Sequence, residues 1–256
     1  MPPPEDLLTF DPEALLALRA PLRVESNRVH VWAFALEGSV ECVELCRSWL
    51  SDDERERADR FIFAHHRTRY MVAHGVLRRL LSLYCDSSPE ALQFITAATG
   101  KPALQSGTPG SASLAFNLTH SETRAALGVS AGMALGIDLE QLRADVEVLS
   151  ISSHYFFGTE RDAIASAAPG VRDAAFFRYW VAKEAVLKAQ GIGLGFPLDR
   201  FRVDFLPGGQ TARVETLDPV VLEAGWTVRM LPCEAGWLGA VAARGDNWDL
   251  KLERPA

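Results

Sequence analysis

Gly136-Ile137-Asp138-Leu139-Glu140 closes the apolar run Met133-Ala134-Leu135. The run reads as a strand. Side chains alternate along a strand, so Asp138 and Glu140 share one face while Leu139 turns back toward the core. Residues two apart on a strand are roughly 6.5–7 Å apart at the backbone. Two carboxylates at that spacing repel unless something positive lies between them. A hard divalent cation with oxygen ligands is one solution. Solvation at a strand end, with an arginine nearby, is the other.

Working outward, three strands follow one another: Leu114 to His120, Arg124 to Ser130, and Met133 to Glu140. The short Ala131-Gly132 link predicts that the second and third form a hairpin. Upstream, His30 to Leu36 reads as a strand and Cys42 to Leu50 as a helix. Ser51-Asp52-Asp53-Glu54 is a capping box that starts another helix. A long helix is predicted from His66 to Cys85, with Tyr70, Leu77, Leu81 and Tyr84 at helical spacing. Phe94 to Ala97 reads as a short strand, Thr99-Gly100-Lys101-Pro102 as a turn presenting a lysine, and residues 105–113 as a Gly/Ser/Pro loop. Downstream, Leu142 to Ser153 is ambiguous and partly loop. Thr159 caps a helix to Ala168. Asp173 to Gln190 is a second long helix that Gly191 ends. Phe201 to Leu206, Trp226 to Leu231 and Trp237 to Ala243 read as closing strands. Helix, short strand, then antiparallel strands recur, so the chain is an α+β protein of two similar halves, 1–131 and 132–256. Residues 1–10 are expected to be disordered, and Asp11 to Leu18 to form a short helix.

At 256 residues, 48% hydrophobic and 23% charged, the composition is that of an ordinary globular protein. No run approaches the ~18 apolar residues of a membrane helix. The acidic, Pro-rich start, Met1-Pro2-Pro3-Pro4-Glu5-Asp6, lacks the pattern of a signal peptide. Cys42, Cys46, Cys85 and Cys233 are scattered without paired spacing, which fits reduced thiols in a cytoplasmic protein. The net charge of −7 gives no overall field for nucleic acid. The arginines between Arg55 and Arg79 read either as solvated helix faces or as a local patch for a phosphate-bearing ligand. His65, His66 and His74 lack acidic or cysteine ligands at fixed spacing, so they do not read as a metal site.

Three further stretches tempt a functional reading. Thr119-His120-Ser121 suggests a nucleophile and base, but strand neighbours face opposite sides, so His120 does not activate either hydroxyl. Gly191-Ile192-Gly193-Leu194-Gly195 follows a helix, so it fails the context of a dinucleotide loop. Glu184 and Lys188 are four apart on the second long helix, beside Trp180; alone they are an ordinary helical ion pair.

Taken together the motifs are specific. Trp180-Val181-Ala182-Lys183-Glu184-Ala185-Val186-Leu187-Lys188, downstream of Gly136-Ile137-Asp138-Leu139-Glu140, resembles the signature of the Sfp-type 4′-phosphopantetheinyl transferases in its W/KEA variant. Gly100-Lys101-Pro102, Phe116-Asn117-Leu118-Thr119-His120, Gly191-Ile192-Gly193-Leu194 and Glu54-Arg55-Glu56-Arg57 through Phe61 extend the resemblance over most of the chain. It implies a pseudo-twofold α+β fold with coenzyme A in the cleft between the halves. It implies transfer of phosphopantetheine from coenzyme A to a serine of an apo acyl or peptidyl carrier protein, releasing adenosine 3′,5′-bisphosphate.

The same resemblance implies Asp138, Glu140 and Glu184 as ligands for Mg²⁺, with Mn²⁺ as a substitute. It implies Arg57, Gly100, Lys101, Asn117, Thr119 and His120 as contacts for coenzyme A, with the backbone from Thr96 to Gly100 around the adenine. Glu184 is the implied base, directly or through a water, and Lys188 reaches the diphosphate. Thr119 replaces the usual serine and keeps its hydroxyl. Glu54 stands where some members carry a lysine for the 3′-phosphate, which leaves that contact to Arg55, Arg57 or Arg69. A monomer is expected. A non-catalytic coenzyme A or carrier-protein binding module on the same fold is the alternative, disfavoured because all three carboxylates and Lys188 are present. A second alternative, an unrelated nucleotide-dependent hydrolase, is disfavoured because the chain has neither a Walker A motif nor a nucleophile–base pair. The carrier is expected to dock on Leu142 to Phe157, near Arg143, through Val146, Val148, Leu149, Ile151 and Tyr155. The other reading of that segment is an amphipathic helix burying them.

Overall fold

The structure, a computed structural model, describes residues 7–96, 100–107, 114–192, 195–219 and 222–255. The first half comprises β1 (Thr9–Phe10), α1 (Pro12–Leu16), β2 (Arg28–Ala35), α2 (Val40–Trp49), α3 (Asp52–Asp59), α4 (Ala64–Cys85), β3 (Phe94–Thr96), β4 (Pro102–Leu104), β5 (Leu114–Ser121) and β6 (Arg124–Ala131). The second comprises β7 (Leu135–Gln141), α5 (Val148–Tyr155), α6 (Gly158–Ser166), α7 (Pro169–Gln190), β8 (Phe201–Phe205), β9 (Thr211–Thr216), β10 (Trp226–Met230), β11 (Trp237–Arg244) and β12 (Asp249–Leu252).

Each half is built on one five-stranded sheet, the first completed by β12 from the second half, and one 22-residue helix, so the halves are similar. One sheet runs β1-β2-β6-β5 with β12 also on β2; the other runs β7-β11-β10-β9-β8. Alternation sorts the strand residues into layers. Trp32 and Phe34 of β2 and Leu127 and Val129 of β6 pack under α4. Val29, Val31 and Ala33 of β2 meet Ile137 and Leu139 of β7 in a middle layer. Ala240 and Ala242 of β11 and Val228 of β10 pack under α7. Strands buried on both faces carry apolar residues on both, as β2 does. Both long helices end on a left-handed residue, Asp86 at φ 51° and Gly191 at φ 77°. For Gly191 that conformation carries no side-chain penalty.

Four expectations change. The hairpin is β5–β6, turning at Glu122-Thr123, and β7 does not pair with β6. β6 already has β2 on one edge and β5 on the other, so no edge is free for β7. It crosses instead to β11, from Gln141↔Trp237 to Leu135↔Ala243. The expected disorder of residues 1–10 ends by Leu7, which is buried and donates its N–H to Pro232 O at 2.7 Å. Thr9–Phe10 then pairs parallel with Ala33–Phe34; residues 1–6 lie outside the described residues. The ambiguous segment contains α5, and α6 begins at Gly158 instead of being capped by Thr159. Its first turn is closed by the Glu160 carboxylate, which accepts from Phe157 N–H at 3.1 Å. Last, β12 returns to the first sheet, where Glu253 pairs with the buried His30 at 2.7 Å. Among the described residues no helix is long and apolar enough to cross a membrane.

Candidate active site

Gly136 decides where the site forms. A Cβ there would lie 2.1 Å from Ala185 O and 2.3 Å from Ala189 N. The missing side chain lets α7 lie directly on β7. Gly136, Asp138 and Glu140 alternate onto that same face, so the helix brings Glu184 and Lys188 over the strand carboxylates. Lys188 Nζ donates to Asp138 Oδ1 at 2.5 Å and to Thr119 Oγ1 at 3.0 Å. Thr119 passes its own proton to Asp138 Oδ1 at 3.1 Å. Ser121 donates to Glu140 Oε2 at 2.6 Å.

Two carboxylate oxygens are left over. Asp138 Oδ2 and Glu184 Oε1 are buried without a hydrogen-bond partner. An unpaired buried acceptor is costly and marks a place where something else belongs. Burial, then the Asp138 charge, push the Glu184 carboxyl up to about 7, with Lys188 pulling the other way. Burial likewise raises Glu140, against its bond from Ser121. Among the described residues no three His, Cys, Asp or Glu side chains form a ready-made metal cage.

Beside this cluster a cleft of about 220 Å³ opens between α4 and the end of β5, lined in part by His66, Arg69, Tyr70, His74, His120 and Ser121. His120 lies on the opposite face of β5 from Thr119 and Ser121, as alternation requires. Burial and then the nearby charges of Lys188, His74 and Arg69 lower its pKa; Glu122 also lines the cleft and pairs with Arg69 at 4.0 Å. Arg57 is exposed and stacks over Tyr70 at 5.6 Å. Lys101 instead bonds Leu135 O at 2.9 Å and Ala189 O at 3.1 Å, and burial lowers its pKa to about 8. Gly100, at φ 89°, precedes it. Asn117 is buried, and its Oδ1 accepts from Ile137 N–H at 2.9 Å. The residues between Thr96 and Gly100, and Gly193 and Leu194, lie outside the described residues.

Comparison with known proteins places the whole chain in one family. Residues 38–131 match the family model for the N-terminal region of 4′-phosphopantetheinyl transferases, and residues 134–228 match that of the 4′-phosphopantetheinyl transferase superfamily. The chain is 32% identical to the 4′-phosphopantetheinyl transferase HetI of Nostoc sp. over 231 residues, 90% of this chain and 94% of that one. The chain belongs to the 4′-phosphopantetheinyl transferase superfamily. It is also 27% identical to Sfp of Bacillus subtilis over 64% of this chain and 70% of that one. To the human L-aminoadipate-semialdehyde dehydrogenase-phosphopantetheinyl transferase it is 28% identical, over 69% of this chain and 60% of that one.

Two residues of this transferase have roles that their motifs do not reveal. Lys183, next to Glu184 in sequence, points the other way. It pairs with buried Glu160 at 2.9 Å and donates to Leu198 O and Phe201 O. It therefore braces α7 against α6 and β8 from behind the site. Glu54 pairs with Arg78 at 2.8 Å and with His74 at 3.3 Å while completing its capping box. Burial would raise its pKa, but the bonds from His74 and Ser51 and the Arg78 charge outweigh it and hold Glu54 at about 2. A depressed carboxyl stabilises the fold above its unfolded pKa and loses that contribution as pH falls through the folded value. Glu54→Gln is expected to cost about 2 kcal/mol at pH 7, because the buried Arg78 loses its counter-charge. The deficit shrinks between about pH 4.5 and about pH 2. Urea melts at pH 7 and pH 3 check this; equal deficits at both would refute it.

Proposed function

We propose that this transferase moves the 4′-phosphopantetheine group of coenzyme A onto a serine of an apo acyl or peptidyl carrier protein and releases adenosine 3′,5′-bisphosphate. The observation that carries this reading is the convergence of Asp138 and Glu184, each with an unpartnered buried oxygen, beside Lys188 and a cleft that holds Arg69, His74 and His120. A diphosphate ester with a further phosphate demands cations and donors in that arrangement.

Those two oxygens, with Glu140 on the same strand face, fit Mg²⁺. That ion commonly takes one or two carboxylates and completes its shell with waters and substrate phosphates, so a ready-made three-ligand cage is not required. When bound, it would neutralise charge on the diphosphate. The rest is done by the chain. Glu184 accepts the proton of the carrier serine, directly or through a water; ligation to the ion would reduce its basicity, which favours the water route. The serine oxygen bonds to the β-phosphorus as the bond to the departing adenosine 3′,5′-bisphosphate breaks. Lys188, one turn after Glu184, leaves Asp138 for the departing phosphate and stabilises its charge. His120, Arg57 and Arg69 hold the remaining phosphate and nucleotide. Asn117 and Lys101, whose polar atoms are engaged by β7 and α7, act as structural supports of the site more than as ligand contacts. Glu54, committed to Arg78, leaves phosphate binding to its arginine neighbours. We place the boundary between the halves at Ala131–Gly132, supported by family matches that stop at 131 and resume at 134, with β12 as a return strand. We further propose a cytoplasmic monomer.

Intact-mass analysis of apo carrier proteins tests the reading. A competent carrier gains one phosphopantetheine only with coenzyme A and Mg²⁺ present. No gain across acyl and peptidyl carriers would refute the transfer, and undiminished gain in excess EDTA would refute the metal.

The carrier's docking segment narrows. Val148 is 6% exposed in the core, whereas Leu149 at 44% and Tyr155 at 59% face outward. Val148 therefore fits the amphipathic-helix reading, and docking falls to Leu149 and Tyr155 on α5. Leu149→Asp is expected to raise the carrier KM about tenfold, the loss of one well-placed interface side chain, with coenzyme A KM unchanged. A folded variant with unaltered carrier KM removes α5 from the interface.

A further inference from the structure

β5 ends one sheet and β7 ends the other, yet the two run side by side. Their edges are stitched by side chains. Asn117, Thr119 and Ser121 alternate onto one face of β5, and all are buried. Asn117 Oδ1 takes the Ile137 N–H at 2.9 Å, and Ser121 Oγ takes the Gln141 N–H at 3.3 Å. Thr119 and Ser121 then donate to Asp138 and Glu140 at 3.1 and 2.6 Å. A serine hydroxyl has one proton to give and lone pairs to accept with. Ser121 gives the proton to the Glu140 carboxylate and accepts from the backbone one residue beyond it. The hydroxyl is thus pinned at both ends, and a short bond to an ionised group is among the stronger ones.

We propose that Ser121 is a positioning residue for the transfer reaction, fixing the Glu140 carboxylate at the seam between the two sheets. The inference rests on the function proposed above. Without the hydroxyl, Glu140 keeps its place in the chain but loses the bond that selects its rotamer. The charge of Arg143 also acts on Glu140, so a freed carboxylate has another partner to turn toward.

The test compares Ser121→Ala and Ser121→Thr in the whole chain. Free Mn²⁺ is followed by electron paramagnetic resonance in the presence of coenzyme A without carrier, and turnover is measured separately. Losing a group that orients a ligand typically weakens metal affinity or activity about 10–100-fold. Ser121→Ala is expected to weaken Mn²⁺ binding and lower kcat, each about tenfold. Ser121→Thr restores both. Exchange of the Gln141 amide quickens in Ser121→Ala and that of Leu139 does not. A lower melting temperature with unchanged Mn²⁺ affinity and kcat, or a threonine that fails to rescue, would overturn the inference while leaving the function intact. A wild-type chain that neither transfers nor binds Mn²⁺ overturns the function itself.

Discussion

Glu184→Gln loses at least about a hundredfold in turnover, as removal of a general base or metal ligand does, and gains stability as it does so. Both effects come from the same surroundings. The carboxyl is 7% exposed, one oxygen has no partner, and Asp138 and Glu140 repel its charge. Its pKa of about 7 lies above the ordinary 4.5, so the folded state holds the proton more tightly than the unfolded chain. The cost of ionising it is therefore fully present above about pH 7 and absent below about pH 4.5. The amide keeps the shape and removes the charge. In chelator at pH 8 the variant is expected to melt higher, by about 2 kcal/mol in stability, and at pH 4.5 the advantage vanishes. Asp138→Ala loses turnover on the same scale without this gain, because Lys188 and Thr119 lose the acceptor they share. Near-normal turnover in a folded Glu184→Gln would exclude the base. A melt no higher at pH 8 than wild type would exclude the repulsion.

The parts of this design that are local in sequence are legible there. The capping box at Ser51-Glu54, the glycine stop at Gly191 and the alternation of Asp138 with Glu140 each follow from bonding within a few residues. The signature around Glu184 and Lys188 is likewise contiguous. What the sequence hides is set by distant partners. The strand pairing of β7 depends on β6 already being flanked on both edges. Glu54 looks like a misplaced phosphate contact until Arg78, 24 residues on, is seen beside it. Lys183 sits inside that signature, but its role follows only from Glu160 behind the helix. Ser121 had a signal, since it lies two residues from Thr119 on one strand face, but its role depends on an edge from the other sheet. Val148 and Leu149 are adjacent apolar residues whose burial differs because α5 shows only one side to the core.

Gly136→Ala follows from the closest backbone approach at the site. The added carbon would sit 2.1 Å from Ala185 O, 2.3 Å from Ala189 N and 2.8 Å from Lys188 C. Real contacts of that kind do not occur, and all three atoms belong to the backbone of α7. No side-chain rotamer relieves them. Either α7 moves off β7 or β7 leaves its register with β11. Neither is cheap, because Val181, Ala182 and Ala185 are fully buried on that helix and β7 is paired along its length. Overpacking a tight interior costs about 1–3 kcal/mol where neighbours can yield. Here they are main chain, so the loss is expected at about 3 kcal/mol or more. The displaced helix also carries Glu184 and Lys188 away from Asp138, and misplacement by ~1 Å can cost ~100-fold in rate. Turnover is therefore expected to fall at least about a hundredfold even in the fraction that folds. Wild-type melting together with wild-type turnover would mean that α7 does not rest on Gly136. A lowered melting temperature with full turnover at low temperature would separate the packing from the chemistry and leave the helix position without consequence for the reaction.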